Sequence, residues 1–177
     1  MRAITTVLPD EEATRALGRL LGDSLRPGDV LALVGPLGAG KTTLVQGIAE
    51  ALDLPPGVPV QSPTFTVCNE YPTRVPILHV DLYRLGDISE AEDIGLVDRL
   101  TDGDGIGVVE WAARLPDLIP ETALWIRLEH DSGSRRVTVA EGDGGDVQWL
   151  MDQPIQGGAP PWTPRETPLP WEVSSSA

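Results

Sequence analysis

The residues best equipped for chemistry lie in the stretch Leu31-Ala32-Leu33-Val34-Gly35-Pro36-Leu37-Gly38-Ala39-Gly40-Lys41-Thr42-Thr43. From Gly35 it reads G-x-x-x-x-G-K-T, a phosphate-binding loop pattern. Gly35, Gly38 and Gly40 allow the backbone to turn tightly and aim successive N–H groups inward, forming a nest for an anion. Lys41 is placed to reach the β- and γ-phosphates of a nucleotide, and Thr42 offers a hydroxyl to Mg²⁺. Lys41 is also the only lysine of the chain, every other basic residue being arginine.

A phosphate loop with Mg²⁺ calls for a carboxylate at the end of a neighbouring strand. Asp81 closes the apolar run of Pro76-Ile77-Leu78-His79-Val80-Asp81, and Glu110 closes Ile106-Gly107-Val108-Val109-Glu110. Spacing does not rank the two. The economical arrangement uses both, one in the metal shell and the other positioning or deprotonating the attacking water. Ser62-Pro63-Thr64 reads either as an ordinary turn that leaves Phe65 in the core or as a switch-like loop whose hydroxyls face the γ-phosphate. Trp111 stacks on a base or fills the core edge. His79, mid-strand, reads as a satisfied structural histidine.

The elements that must position these groups follow from pattern. Ala3 to Leu8 is a strand, and Asp10 is an N-cap for a helix whose Ala13, Leu17, Leu20 and Leu21 share one face. Val30 to Val34 is a buried parallel strand. A helix from Thr42 places its N-terminal dipole on the anion site and stops before Pro55-Pro56-Gly57. Val60 to Val67 is strand-like but interrupted. Ser89 is expected to cap a helix running to about Leu100, after the strand ending in Asp81. Ala123–Glu129 and Arg136–Ala140 form a terminal hairpin around Asp131-Ser132-Gly133-Ser134. The expected architecture is α/β: a P-loop NTPase-like sheet with flanking helices and a C-terminal hairpin. Residues 1–141 form the domain. Residues 142–177, rich in Gly, Pro and Ser with Trp149, Trp162 and Trp171 widely spaced, read as a flexible tail.

Composition narrows the partners. With Lys+Arg 13 against Asp+Glu 27 and a net charge of −14, the chain repels nucleic acid at long range. Direct RNA or DNA binding is disfavoured and a basic patch on a partner protein is favoured. The single cysteine, Cys68, permits no internal disulfide and is expected to be a buried thiol in a reducing compartment. No basic-then-apolar leader follows Met1 and no apolar run is long enough to span a bilayer. The expectation is a soluble, cytoplasmic protein without membrane contact. The guanine-specific N-K-x-D element is absent, so ATP is preferred over GTP.

Taken together and in order, Gly35–Thr43, Ser62-Pro63-Thr64-Phe65, His79-Val80-Asp81-Leu82-Tyr83-Arg84 and Val109-Glu110-Trp111 resemble the TsaE (YjeE) family over roughly residues 3–140. That family is the ATPase component of the bacterial system that makes threonylcarbamoyladenosine beside the anticodon of certain tRNAs. The resemblance implies ATP and Mg²⁺ as cofactors. It puts Thr42 and Glu110 on the metal, and the backbone of Gly38, Ala39, Gly40, Lys41, Thr42 and Thr43 around the phosphates. It gives Asp81 the place of the second essential carboxylate, with Lys41 and Glu110 completing the catalytic set. Ser62 and Thr64 stand as its switch loop, Trp111 stands beside the metal carboxylate, and Glu11 and Gly133 lie near the nucleotide. The implied partners are the TsaD and TsaB proteins, with tRNA engaged only through them, and turnover is expected to be weak without them.

Two other readings share the loop. A small-molecule kinase needs an acceptor pocket and a basic lid, for which Arg84 and Arg99 are the plausible cations. A nucleotide-sensing adaptor needs only binding, and carrying both strand-end carboxylates argues against it.

Overall fold

The computed structural model describes residues 2–142, 147–155 and 162–165. The chain opens with β1 (Ala3–Leu8) and α1 (Glu11–Ser24). Asp10 starts that helix as expected. Its backbone is extended and its carboxylate accepts the Ala13 N–H at 2.8 Å, satisfying an amide that the helix leaves orphaned. β2 (Val30–Val34) is buried at every position, which is why it carries an unbroken apolar run, having no wet face to accommodate polar side chains. It feeds α2 (Lys41–Ala51) through the glycine-rich loop. There follow β3 (Cys68–Tyr71), β4 (Ile77–Asp81), α3 (Ile88–Asp93), α4 (Leu96–Thr101), β5 (Ile106–Glu110), β6 (Leu124–Asp131), β7 (Ser134–Ala140), α5 (Gln148–Met151) and β8 (Thr163–Arg165).

The strands form one mixed sheet in the order β3-β4-β5-β2-β6-β7-β1-β8. Its centre, β4-β5-β2-β6, is parallel, while β3 and the β7-β1-β8 flank pair antiparallel. Alternation along β2 divides the core. Leu31 and Leu33 face the layer of α1 and α2 with Leu17, Leu21, Leu44 and Ile48. Ala32 and Val34 face the opposite layer with Val80, Leu96, Leu100 and Val109. The two helices of the first layer touch backbone to backbone. A Cβ on Gly18 would lie 2.3 Å from the Leu44 carbonyl oxygen, and one on Gly47 would lie 2.1 Å from that of Arg15. Among the described residues no helix is long and apolar enough to cross a membrane.

Several expectations are corrected. Residues 60–67 form no strand; pairing begins only at Cys68. The helix expected from Ser89 to Leu100 is broken by Gly95 at φ +69°, a backbone region that favours glycine. Its cap is Asp87, whose carboxylate accepts the Glu90 N–H at 3.1 Å, while Ser89 lies inside the first turn. β5 does end at Glu110, as expected, because Trp111 turns out at φ 59°. Cys68 is half-buried, not enclosed, and its Sγ accepts Arg99 Nη1 at 3.1 Å. The described parts of the segment expected as a flexible tail are packed. Val147, Leu150, Ile155 and Trp162 are buried against the α1–α2 layer, and β8 extends the sheet beyond β1. Composition missed this because the covering surface comes from the rest of the domain. Trp171 lies outside the described residues.

Candidate functional site

Parallel pairing brings the chemistry together. Asp81 and Glu110 are register partners at the carboxyl ends of β4 and β5, and Glu110 is also the partner of Leu33, just before the loop. Ligand sites of open α/β sheets gather at this edge. Here a cleft of about 230 Å³ is lined by Gly38, Gly40, Lys41, Thr42, Thr43, Ser62, Thr64, Asp81, Glu110 and Trp111, with Leu37 and Arg135.

The loop ends at Gly40, φ +104°, from which α2 starts without a side-chain cap. The first amides of that helix are thus left to whatever anion approaches. Lys41 is nearly enclosed, at 5 % exposure. Its Nζ donates to the Gly35 and Pro36 carbonyls at 2.8 and 2.9 Å and lies 4.3 Å from the centre of the Trp111 ring. Burial holds the ammonium below the usual lysine range, against the opposing pull of Glu110 and Asp81.

Both carboxylates are buried, and their partners differ. Asp81 is fully dressed: Ser62 Oγ donates to Oδ2 at 2.7 Å, Thr64 Oγ1 to Oδ2 at 3.0 Å, and the Tyr83 N–H to Oδ1 at 2.8 Å. Glu110 Oε1 accepts from Thr42 Oγ1 at 3.2 Å and from His79 Nε2 at 2.8 Å. Tyr71 Oη is 3.1 Å from the other imidazole nitrogen, Nδ1, and 3.1 Å from the Gln61 carbonyl oxygen. Buried hydrogen bonds therefore tie Glu110, through His79 and Tyr71, to the residue preceding Ser62. The hydroxyls of residues 62 and 64 face the carboxylates. Phe65 is not in the core. It is 81 % exposed and lies under Arg84, whose guanidinium carbon sits 4.3 Å from the ring centre.

Not every expected residue reaches the cleft. Ala39 is buried in the core and its N–H bonds to the Pro36 carbonyl. Glu11 is exposed at the start of α1, 3.7 Å from Arg15. Gly133 makes the β6–β7 turn at φ +91°. Arg84 stacks on Phe65, and Arg99 pairs with Glu70 and Cys68, so neither overhangs the loop. Sequence reasoning missed Arg135. Its signal was strand alternation: Arg136 points to Asp131 at 2.8 Å, which turns its neighbour to the opposite face of β7.

Among the described residues no cage of three or more His, Cys, Asp and Glu side chains exists. The donors near Thr42 are hydroxyl and carboxylate oxygens. That set fits a hard divalent cation which keeps several waters and takes its remaining ligands from phosphate. An amide nest, a buried cation and an oxygen-donor wall on the far side together suit a polyphosphate.

Comparison with known proteins identifies the family. The family model described as "Threonylcarbamoyl adenosine biosynthesis protein TsaE" matches residues 8–138. A Bacillus subtilis (strain 168) protein, named as the tRNA threonylcarbamoyladenosine biosynthesis protein TsaE, is 39% identical over 149 residues, 84% of this chain and 90% of the relative. The Mycobacterium tuberculosis (strain H37Rv) protein of the same name is 43% identical over 138 residues, covering 73% of this chain and 81% of the relative. The crystal structure of Bacillus subtilis YdiB superposes with a TM-score of 0.66 at 33% identity, covering 81% of this chain and 89% of that one. The sheet, the loop and the helix it feeds are those of a P-loop-type α/β fold, and the chain belongs to the TsaE family of tRNA threonylcarbamoyladenosine biosynthesis proteins.

Proposed function

We propose that this protein is an Mg²⁺-dependent ATPase that serves threonylcarbamoyladenosine formation on tRNA in the cytoplasm by acting on a TsaD–TsaB complex. The observation that carries the reading is the meeting of Thr42 and Glu110, 3.2 Å apart, at the mouth of an uncapped helix and glycine loop. Loop amides of Gly38, Gly40, Lys41, Thr42 and Thr43 would hold the phosphates, and Thr42 and Glu110 would hold the metal. A Mg²⁺ held by Thr42 and Glu110 would supply positive charge against the phosphates. Lys41 leaves the Gly35 and Pro36 carbonyls to meet the same phosphates. Asp81 accepts a hydrogen bond from the attacking water; its Oδ1, bonded to the Tyr83 N–H at 2.8 Å, keeps a lone pair for this. Ser62 and Thr64 hold that carboxylate still, so the water is oriented by a group that needs no rearrangement.

The kinase alternative loses its lid, since Arg84 and Arg99 are both engaged away from the loop. The test is phosphate release by the purified chain alone, with candidate acceptors, and with the TsaB–TsaD pair. Release that rises with the pair supports the reading. Acceptor-dependent ADP formation favours a kinase, and binding without turnover in any mixture favours an adaptor.

A further inference from the structure

Six arginines, Arg15, Arg19, Arg74, Arg99, Arg127 and Arg136, stand within ion-pair distance of a carboxylate. Arg135 does not. It projects from β7 into the cleft, and its Nε is buried with no hydrogen-bond partner. It also lies close against the loop. A Cβ at Gly40 would sit 3.0 Å from that Nε and 3.2 Å from Cδ, with the Thr14 methyl next at 3.4 Å. A side chain at position 40 would crowd the arginine, and the φ of +104° itself favours glycine.

Sheet order fixes which side of the loop the arginine serves. Asp81 and Glu110 reach it from β4 and β5, on one side of β2; β7 lies on the other side, beyond β6. A triphosphate whose terminal end meets the carboxylates and the metal turns its other end toward β7 and α1. We infer that Arg135 binds the nucleotide's α-phosphate, supplying a cation at the end of the polyphosphate that Lys41 and the metal leave uncovered. This assignment rests on the nucleotide-binding reading above and adds a residue to it. A buried guanidinium Nε without an acceptor is costly, and a phosphate oxygen is the acceptor its planar fork fits best. Because ATP and ADP share the α-phosphate, Arg135 serves retention of either nucleotide and does not distinguish them.

The test is calorimetric titration of Mg–ADP and of a non-hydrolysable Mg–ATP analogue into the full chain and its Arg135→Ala, Arg135→Gln and Arg135→Lys variants, with thermal melts to confirm folding. Ala and Gln are expected to weaken both nucleotides by the same factor, roughly tenfold or more. Lys, which restores charge without the planar fork, recovers part of the loss. Unchanged affinity in Ala or Gln overturns the assignment. So does a loss confined to the triphosphate, which would move the arginine to the γ-phosphate, and so does a loss that Lys leaves unrepaired. A wild-type chain that takes up neither nucleotide defeats the underlying reading instead, a result separable from all of these.

Discussion

His79 Nε2 lies 2.8 Å from Glu110 Oε1, and both side chains are almost wholly out of contact with solvent. A carboxylate only accepts, so the imidazole donates, and the bond fixes one of the glutamate oxygens. Replacing His79 by Phe keeps an aromatic ring but leaves that buried oxygen with Thr42 Oγ1, at 3.2 Å, as its remaining donor. The expected cost is about 2–4 kcal/mol of stability, read from denaturant midpoints. An unchanged midpoint would show that the glutamate finds another donor.

Thr42 is bonded to Glu110 and Asp81 to Ser62 and Thr64, so the carboxylates are expected to fail differently. Lys41→Ala and Glu110→Ala each lose most phosphate release, on the order of 100-fold. Glu110→Ala should also need far more Mg²⁺ for half-maximal rate. Asp81→Asn should bind Mg–ATP normally while losing turnover. Ordinary Mg²⁺ dependence in Glu110→Ala would hand the metal to Asp81.

Gly47→Ala tests the α1–α2 contact. In a lone helix the change stabilises by about 1 kcal/mol. Here the new methyl would meet the Arg15 carbonyl oxygen at 2.1 Å, which is backbone and cannot swing aside. A net loss of about 2 kcal/mol or more is expected, measured by thermal or urea unfolding. A neutral or stabilised variant would mean that the helices separate without cost.

Glu50 on α2 bridges Arg15 and Arg19 of α1, at 2.8 and 3.0 Å. Burial pushes its carboxyl up, but hydrogen bonds from the two arginines outweigh this and hold it below the ordinary glutamate range. A depressed folded value means stability that is present above the unfolded pKa and lost as pH falls through the folded one. Wild type should therefore exceed Glu50→Gln by about 1 kcal/mol or less at neutral pH, the pair being partly exposed, and the gap should close on acidification. A pH-independent gap would assign the effect to packing.

The parts of the fold that read directly from the residues are those whose burial is one-dimensional. β2, β4 and β5 are covered on both faces, so their apolar runs are unbroken, and the acid ending each of β4 and β5 marks where the sheet meets the site. Asp10 and the phosphate loop are likewise local chemistry. What the pattern left open or missed turned on contacts it does not display. The two readings of residues 62–65 part only where Ser62 and Thr64 hold their loop against Asp81. Asp87 won the cap from Ser89 because its backbone, at φ −152°, is the extended one, and the serine donates to it instead. Trp162 is buried only because α1 and α2 offer it a face. His79 was read as a satisfied structural residue, and so it is, but its partner is the carboxylate at the heart of the site.

The chain's sole side-chain amine is the one tucked behind Trp111 and tied to the loop carbonyls. An amine-directed reagent or lysine-modifying enzyme therefore has a single side-chain target, and at 5 % exposure it is nearly enclosed by the phosphate loop. The exterior carries no lysine on which acetyl or ubiquitin-type tags could accumulate harmlessly, so a tag placed on a lysine of this protein would silence it.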